Sequence, residues 1–136
     1  MTLFDDLFAE VMAGGGHFGH RQHVHVTWLA VRRVGRAAAI DVVGDGIRQT
    51  ARYAGAPQKY HHTMSRAWVE LVALHMSPLD AGFSDFAARV PEVLDKRLLS
   101  RFYRSTTLAS PEARSGWVEP DLVPFTASKA AAHPPA

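Results

Sequence analysis

An all-α fold is predicted by three features of the sequence. Apolar residues recur at three- and four-residue spacing in segment after segment, the period of one helix face. No segment keeps the strict alternation of a half-buried strand. Glycine and proline appear where each apolar stripe runs out, leaving connections of only a few residues. The architecture expected is a four-helix-bundle-like single domain over residues 1–125, with a short N-terminal helix and a C-terminal tail wrapped on its surface. A flexible tail is expected over 126–136.

The elements follow in order. Thr2 stands at an N-cap position, and Asp5 and Asp6 fall in the first turn, where the helix dipole favours acids. Phe4, Leu7, Phe8, Val11 and Met12 form the apolar stripe of this first helix, and Gly14, Gly15 and Gly16 end it. A second helix is expected over 19–34, with Val24, Trp28, Val31 and the stem of Arg32 on one face and Gly35 as its stop. A third covers 36–54, with Ile40, Val43, Ile47, Ala51 and Ala54 as its stripe; Gly44 and Gly46 weaken it locally, and Gly55 and Pro57 close it. A fourth covers 58–76 and carries Tyr60, Met64, Trp68, Leu71 and His75 along one side before Ser77-Pro78 stops it. Phe83, Phe86, Ala87 and Val90 suggest another helical piece, interrupted at Pro91, and Leu94, Leu98, Leu99 and Phe102 continue the apolar pattern. Ser110-Pro111-Glu112 combines a cap, a proline at the first helical position and a favourable acid. WVEPDLVPF, from Trp117, reads as extended chain, and ASKAAAHPPA, which includes His133, is expected to fray.

Composition narrows the chemistry. The 136 residues are 47% hydrophobic and 21% charged, enough for one domain with a real core. There is no cysteine, which excludes disulfides, thiolate nucleophiles and cysteine-based metal sites. The net charge of +2 comes with no Lys/Arg run long enough to track a nucleic-acid backbone, so no nucleic-acid partner is expected. No apolar run reaches membrane-spanning length, so no membrane partner is expected either. MTLFDDLF starts with acids rather than a basic segment, so no signal peptide is expected, and the location expected is cytoplasmic.

The histidines are the most pointed feature. Four of the eight lie within nine positions, 17 to 25. Helices joined by short connections pack antiparallel. The helices over 19–34, 36–54 and 58–76 would then run up, down and up. His20 and His23 would begin one helix at the same pole where Tyr60, His61 and His62 begin another. His20 and His23, three apart, lean toward one point, and His61 could supply a third nitrogen. Three imidazoles with an open position suit a divalent zinc, copper or iron ion. One neutral imidazole could equally serve as a general base. His25 and His62 diverge from their neighbours, His17 lies in the glycine-rich hinge, and His75 suits a structural role at a helix C-terminus. Ser65 lies one turn beyond His61, with Lys59 just before it. Arg101 and Arg104 could clamp a carboxylate, and Glu119 or Asp121 could fold back on a histidine.

HRQHVHVTWLAV, KYHHTMSRAW, LLSRFYR and SPEARSGWVEPDLVPF together resemble a family of small all-helical bacterial proteins to which no activity is assigned. The resemblance covers most of the chain from His20 to Phe125. The matching positions are His20, Arg21, His23, Trp28, Lys59, Tyr60, His61, Thr63, Tyr103, Ser110, Pro111, Glu112, Ala113, Arg114, Pro120, Asp121 and Leu122. Thr27 departs from the pattern, where a small apolar residue is expected. The resemblance implies no reaction; it favours His20, His23 and His61 over His17, His25 and His62.

The function expected is that of a small bacterial enzyme acting on an organic metabolite, with biosynthesis as its expected setting. His20, His23 and His61 would bind a metal or provide the base, and His61, Tyr60 and Arg104 would form the catalytic set. Two further readings stay open: a ligand- or haem-binding regulatory module, and a protein–protein partner presenting Phe4, Leu7, Phe8 and Met12. A homodimer is compatible with each.

Overall fold

A computed structural model describes residues 2–132, with side chains through Lys129. His133 lies outside the described residues. Helices α1 (Leu3–Val11), α2 (His20–Tyr53), α3 (His62–His75) and α4 (Phe83–Arg89) are followed by three short ones. These are α5 (Ser105–Leu108), α6 (Pro111–Ser115) and α7 (Thr126–Ala132); single 3₁₀ turns occupy Pro57–Lys59, Pro91–Leu94 and Leu98–Arg101. Among the described residues there is no strand, so the chain is all-α. No helix among them is long and apolar enough to cross a membrane.

Gly35 organises the core. It interrupts α2 with φ 83° and ψ 169°, a conformation open to glycine and strained for other residues. An unbroken helix would hold residues 20 and 44 about 36 Å apart, at 1.5 Å per residue. Yet the His20 ring lies 4.6 Å from the Trp68 ring, and a Cβ built on Gly44 would lie 3.9 Å from Ser65 Oγ. Trp68 and Ser65 are less than a turn apart on α3, so the chain reverses at Gly35. Arg36, just past the reversal, reaches Glu70 at 3.0 Å, while Trp28 and Val31 line one cleft with Ala73 and Met76. The arm over 20–34 therefore runs in the direction of α3, and the arm over 36–53 runs against it. The expected up-down-up order holds.

Apolar burial fixes these elements. Val24, Trp28, Val31, Ala39 and Val43 of α2 pack with Trp68, Leu71 and Val72 of α3, all buried. Thr2 caps α1 through a reciprocal pair with Asp5, at 3.2 and 3.0 Å. Phe4 and Leu7 of α1 are buried against the second arm. A Cβ on Gly46 would fall 2.1 Å from the Phe4 ring, so Gly46 is what lets α1 seat there. Gly46, expected to weaken the helix, is instead a point of close approach. The α1 stripe expected to face a partner is used inside the chain: Phe8 stacks on Phe18 at 4.9 Å, and Met12 is half-buried.

Two boundaries differ from expectation. α3 begins at His62 rather than near 58, because Pro57 opens a 3₁₀ turn and His61, at φ −131° and ψ 111°, is the N-cap. The segment expected to be flexible from 126 instead forms α7 through Ala132, with Ser128 buried and 3.1 Å from His75 Nε2. Between α6 and α7 the chain wraps in extended form, as expected, and Phe125 packs its ring near Phe102, Tyr103 and Trp117.

Candidate functional site

Because the first arm of α2 and α3 run in the same direction, their N-terminal ends share one end of the bundle. His20 opens α2 there. Its Nε2–H donates to Val93 O at 2.9 Å, which fixes the tautomer and leaves Nδ1 without a protein hydrogen bond among the described residues. His23 follows at 6.4 Å between ring centroids. Burial, then the neighbouring His20, push its pKa down to about 4, so the ring is neutral at physiological pH.

His61 does not join them as a ligand. Its Nδ1 accepts from Met64 N at 3.1 Å, capping α3, and its Nε2–H donates to Leu108 O at 2.7 Å. Both nitrogens are engaged, so this imidazole has no lone pair left for a metal or a proton. Among the described residues no three histidine, aspartate or glutamate side chains gather as a metal set. The expected catalytic use of His61 and its place beside His20 and His23 in a metal triad both lack the required free nitrogen.

The imidazole that meets Tyr60 is His62. Tyr60 OH and His62 Nδ1 are 3.1 Å apart, and Nε2 of this half-buried ring has no hydrogen bond to protein among the described residues. Arg48 holds its guanidinium 4.8 Å from the centre of the Tyr60 ring. Ser65, one turn along α3, is buried, and its Oγ has no hydrogen-bond partner among the described residues. Tyr60 OH and Ser65 Oγ face the bare backbone of Gly44: a Cβ there would sit 3.5 and 3.9 Å from them. Two hydroxyls thus lie at ordinary contact distance from where a side chain at position 44 would begin. The expectation favours His61 over His62 on the resemblance and on the divergence of adjacent helical positions; the structure reverses that order. The distinguishing signal is Pro57, whose 3₁₀ turn delays the helix start and leaves His61 to cap it.

The remaining expected residues are placed elsewhere. Arg104 has an exposed side chain at the start of α5, and its backbone N–H donates to Asp121 Oδ1 at 3.0 Å. No hydrogen bond or ion pair joins it to Tyr60 or His61 among the described residues, so its expected role as a substrate clamp there has no geometric basis. Asp121 also accepts from Thr107 Oγ1 at 2.6 Å, and Glu119 accepts from Trp117 Nε1 at 2.9 Å, so neither reaches a histidine. Arg101 is exposed at the end of its 3₁₀ turn. His25 stacks on Phe83 at 4.3 Å, with its pKa lowered by burial and by Arg21. His17 is exposed. His75 serves structure, as expected, through Ser128. No family model, curated protein or solved structure matches the chain.

Proposed function

We propose that the chain is a small enzyme that moves a proton on an organic molecule, with His62 as its acid–base group and Tyr60 as the residue that positions it. The observation that supports this reading is the Tyr60–His62 contact at 3.1 Å beside the unpartnered Ser65 Oγ. In the tautomer whose Nδ1–H donates to the phenol oxygen, the Nε2 lone pair can take a proton as the substrate's bond to hydrogen breaks. The resulting imidazolium returns that proton to the product. His23, which burial keeps neutral, lies toward the same end of the bundle and adds no positive charge beside the imidazolium that forms.

The test uses protein made without a histidine tag, incubated with a bacterial metabolite extract in D₂O and followed by mass spectrometry. The wild type is expected to consume or deuterate at least one metabolite. His62→Gln should slow that change by about 10²- to 10⁴-fold, the range of acid–base catalysis, with its circular dichroism unchanged. A parallel run with a chelator reads any contribution of a metal on His20 and His23. Equal turnover by wild type and His62→Gln, or no metabolite altered by the wild type, defeats the reading.

A further inference from the structure

At the other end of the bundle, beside the reversal at Gly35, lies a cleft of about 400 Å³. That is within the range of small-molecule sites. Trp28, Val31 and Met76 give it apolar walls, and Arg32, Arg36 and Asp80 border it. From the electrostatics of this rim and the shape of its walls, we infer that the cleft binds a small planar organic acid, a carboxylate on a body of one apolar ring. This inference does not depend on the proton-transfer reading.

The charges around the cleft are unequal. Asp80 is held by Arg89 through bonds of 2.6 and 3.1 Å, which keep its carboxyl below the ordinary range and cancel its charge. Glu70 is shared by two arginines, Arg36 at 3.0 Å and Arg66 at 3.3 Å. Arg32 has no carboxylate partner among the described residues; its one hydrogen bond, to Ala81 O, is long at 3.4 Å. Its guanidinium lies 4.9 Å from the centre of the Trp28 ring. The rim thus carries a positive excess, presented by planar guanidinium groups that match a carboxylate's two oxygens. Arg36 uses a single nitrogen on Glu70 and retains further N–H donors.

The wall supplies a second, independent observation. Trp28 is only 2% exposed, yet its Nε1–H has no hydrogen-bond partner among the described residues. An unsatisfied buried donor costs about 1–3 kcal/mol and is rare in a settled core. An aromatic wall beneath a guanidinium that has no carboxylate partner among the described residues suits a ligand with a flat apolar body and an anionic end. A cationic ligand would meet the excess of arginines. A sugar would find few polar partners along Val31 and Met76.

Phenylacetate is the probe, titrated into the full chain and followed by NMR at the Trp28 indole N–H and the Met76 methyl. Both signals are expected to shift saturably. Phenylacetamide, which has the same body without the charge, should bind about tenfold more weakly or worse, as should phenylacetate to Arg32→Gln. Arg32 is exposed, so this variant retains the fold. Arg32→Lys, which keeps the charge and loses the fork, should fall between. Absence of a saturable shift at Trp28 and Met76 overturns the inference, as does equal binding of acid and amide or of wild type and Arg32→Gln.

Discussion

The helical core and the C-terminal wrap of this chain are held by different kinds of interaction. The core is apolar: Val24, Val43, Trp68, Leu71 and Phe86 are buried on helix faces whose spacing is visible in the sequence. The wrap, from α5 to Phe125, is tied down by polar side chains that reach distant backbone. His61 donates to Leu108 O, Thr63 Oγ1 donates to Gly116 O at 2.7 Å and accepts from Val118 N at 3.1 Å, and Tyr103 OH donates to Val118 O at 2.6 Å. Arg114 donates to Gln58 O, and Asp121 collects Arg104 N and Thr107 Oγ1. Such residues look chemical in a sequence and serve here as fasteners. An extended segment has no ladder or helix to satisfy its carbonyls, so side chains must do it.

The sharpest test of the difference is a deletion in the core. Phe86 is fully buried and packs near Trp28 and Phe83, at 6.2 and 6.1 Å between ring centroids. Phe86→Ala should cost about 3–5 kcal/mol through lost burial and the cavity left behind. The urea midpoint should fall, and hydrogen-exchange protection should drop across α2 and α3 together. A loss confined to α4 would mean that the core is not one cooperative unit. A somewhat smaller effect is expected from pH. His23 titrates near 4 in the folded chain and near 6.5 when unfolded, so the unfolded chain binds the proton more readily. Stability from this group is complete above about pH 6.5 and is lost as pH falls toward 4, by up to about 3 kcal/mol. His25 acts in the same direction. Asp80, Asp95 and Asp121, held below their ordinary values, matter only on the acid side of that window. Urea denaturation between pH 4 and 7 should show a flatter slope for His23→Gln than for the wild type; matching slopes would remove His23 as the cause.

The same contrast explains what could be read without coordinates. The first three long helices were legible because burial imposes a period, and Gly35 was legible because a lone glycine between two stripes stops a helix. The conformation that turns that stop into a full reversal is a backbone property with no periodic trace. The role of Gly46 was not legible, since a missing side chain shows its use only when the facing residue, Phe4, is known. The candidate site was half legible. Tyr60 and a histidine at the start of α3 were foreseen; Pro57 could have marked His61 as the cap, but the bond that occupies its second nitrogen goes to a carbonyl 47 residues away, at Leu108. α7 was missed because its composition resembles a frayed end; the contact of Ser128 with His75 that seats it is tertiary.

The smallest expected effect separates the two regions most cleanly. Tyr103→Phe removes one hydroxyl and keeps the ring, which is buried and lies 6.1 Å from Phe125. The volume is nearly conserved, so no cavity term arises. What changes is Val118 O, which loses its 2.6 Å donor. A neutral hydrogen bond of this kind contributes about 1 kcal/mol net. Val118 N keeps its bond to Thr63 Oγ1, so the segment stays anchored at one point and loosens at the other. Amide exchange should therefore quicken around Val118 and at Leu122, whose N–H donates to Phe102 O, while the amides of α2 exchange at their former rate. If α2 quickens in step with Val118, the wrap and the core open together, and the distinction between an apolar body and a stitched-on segment fails.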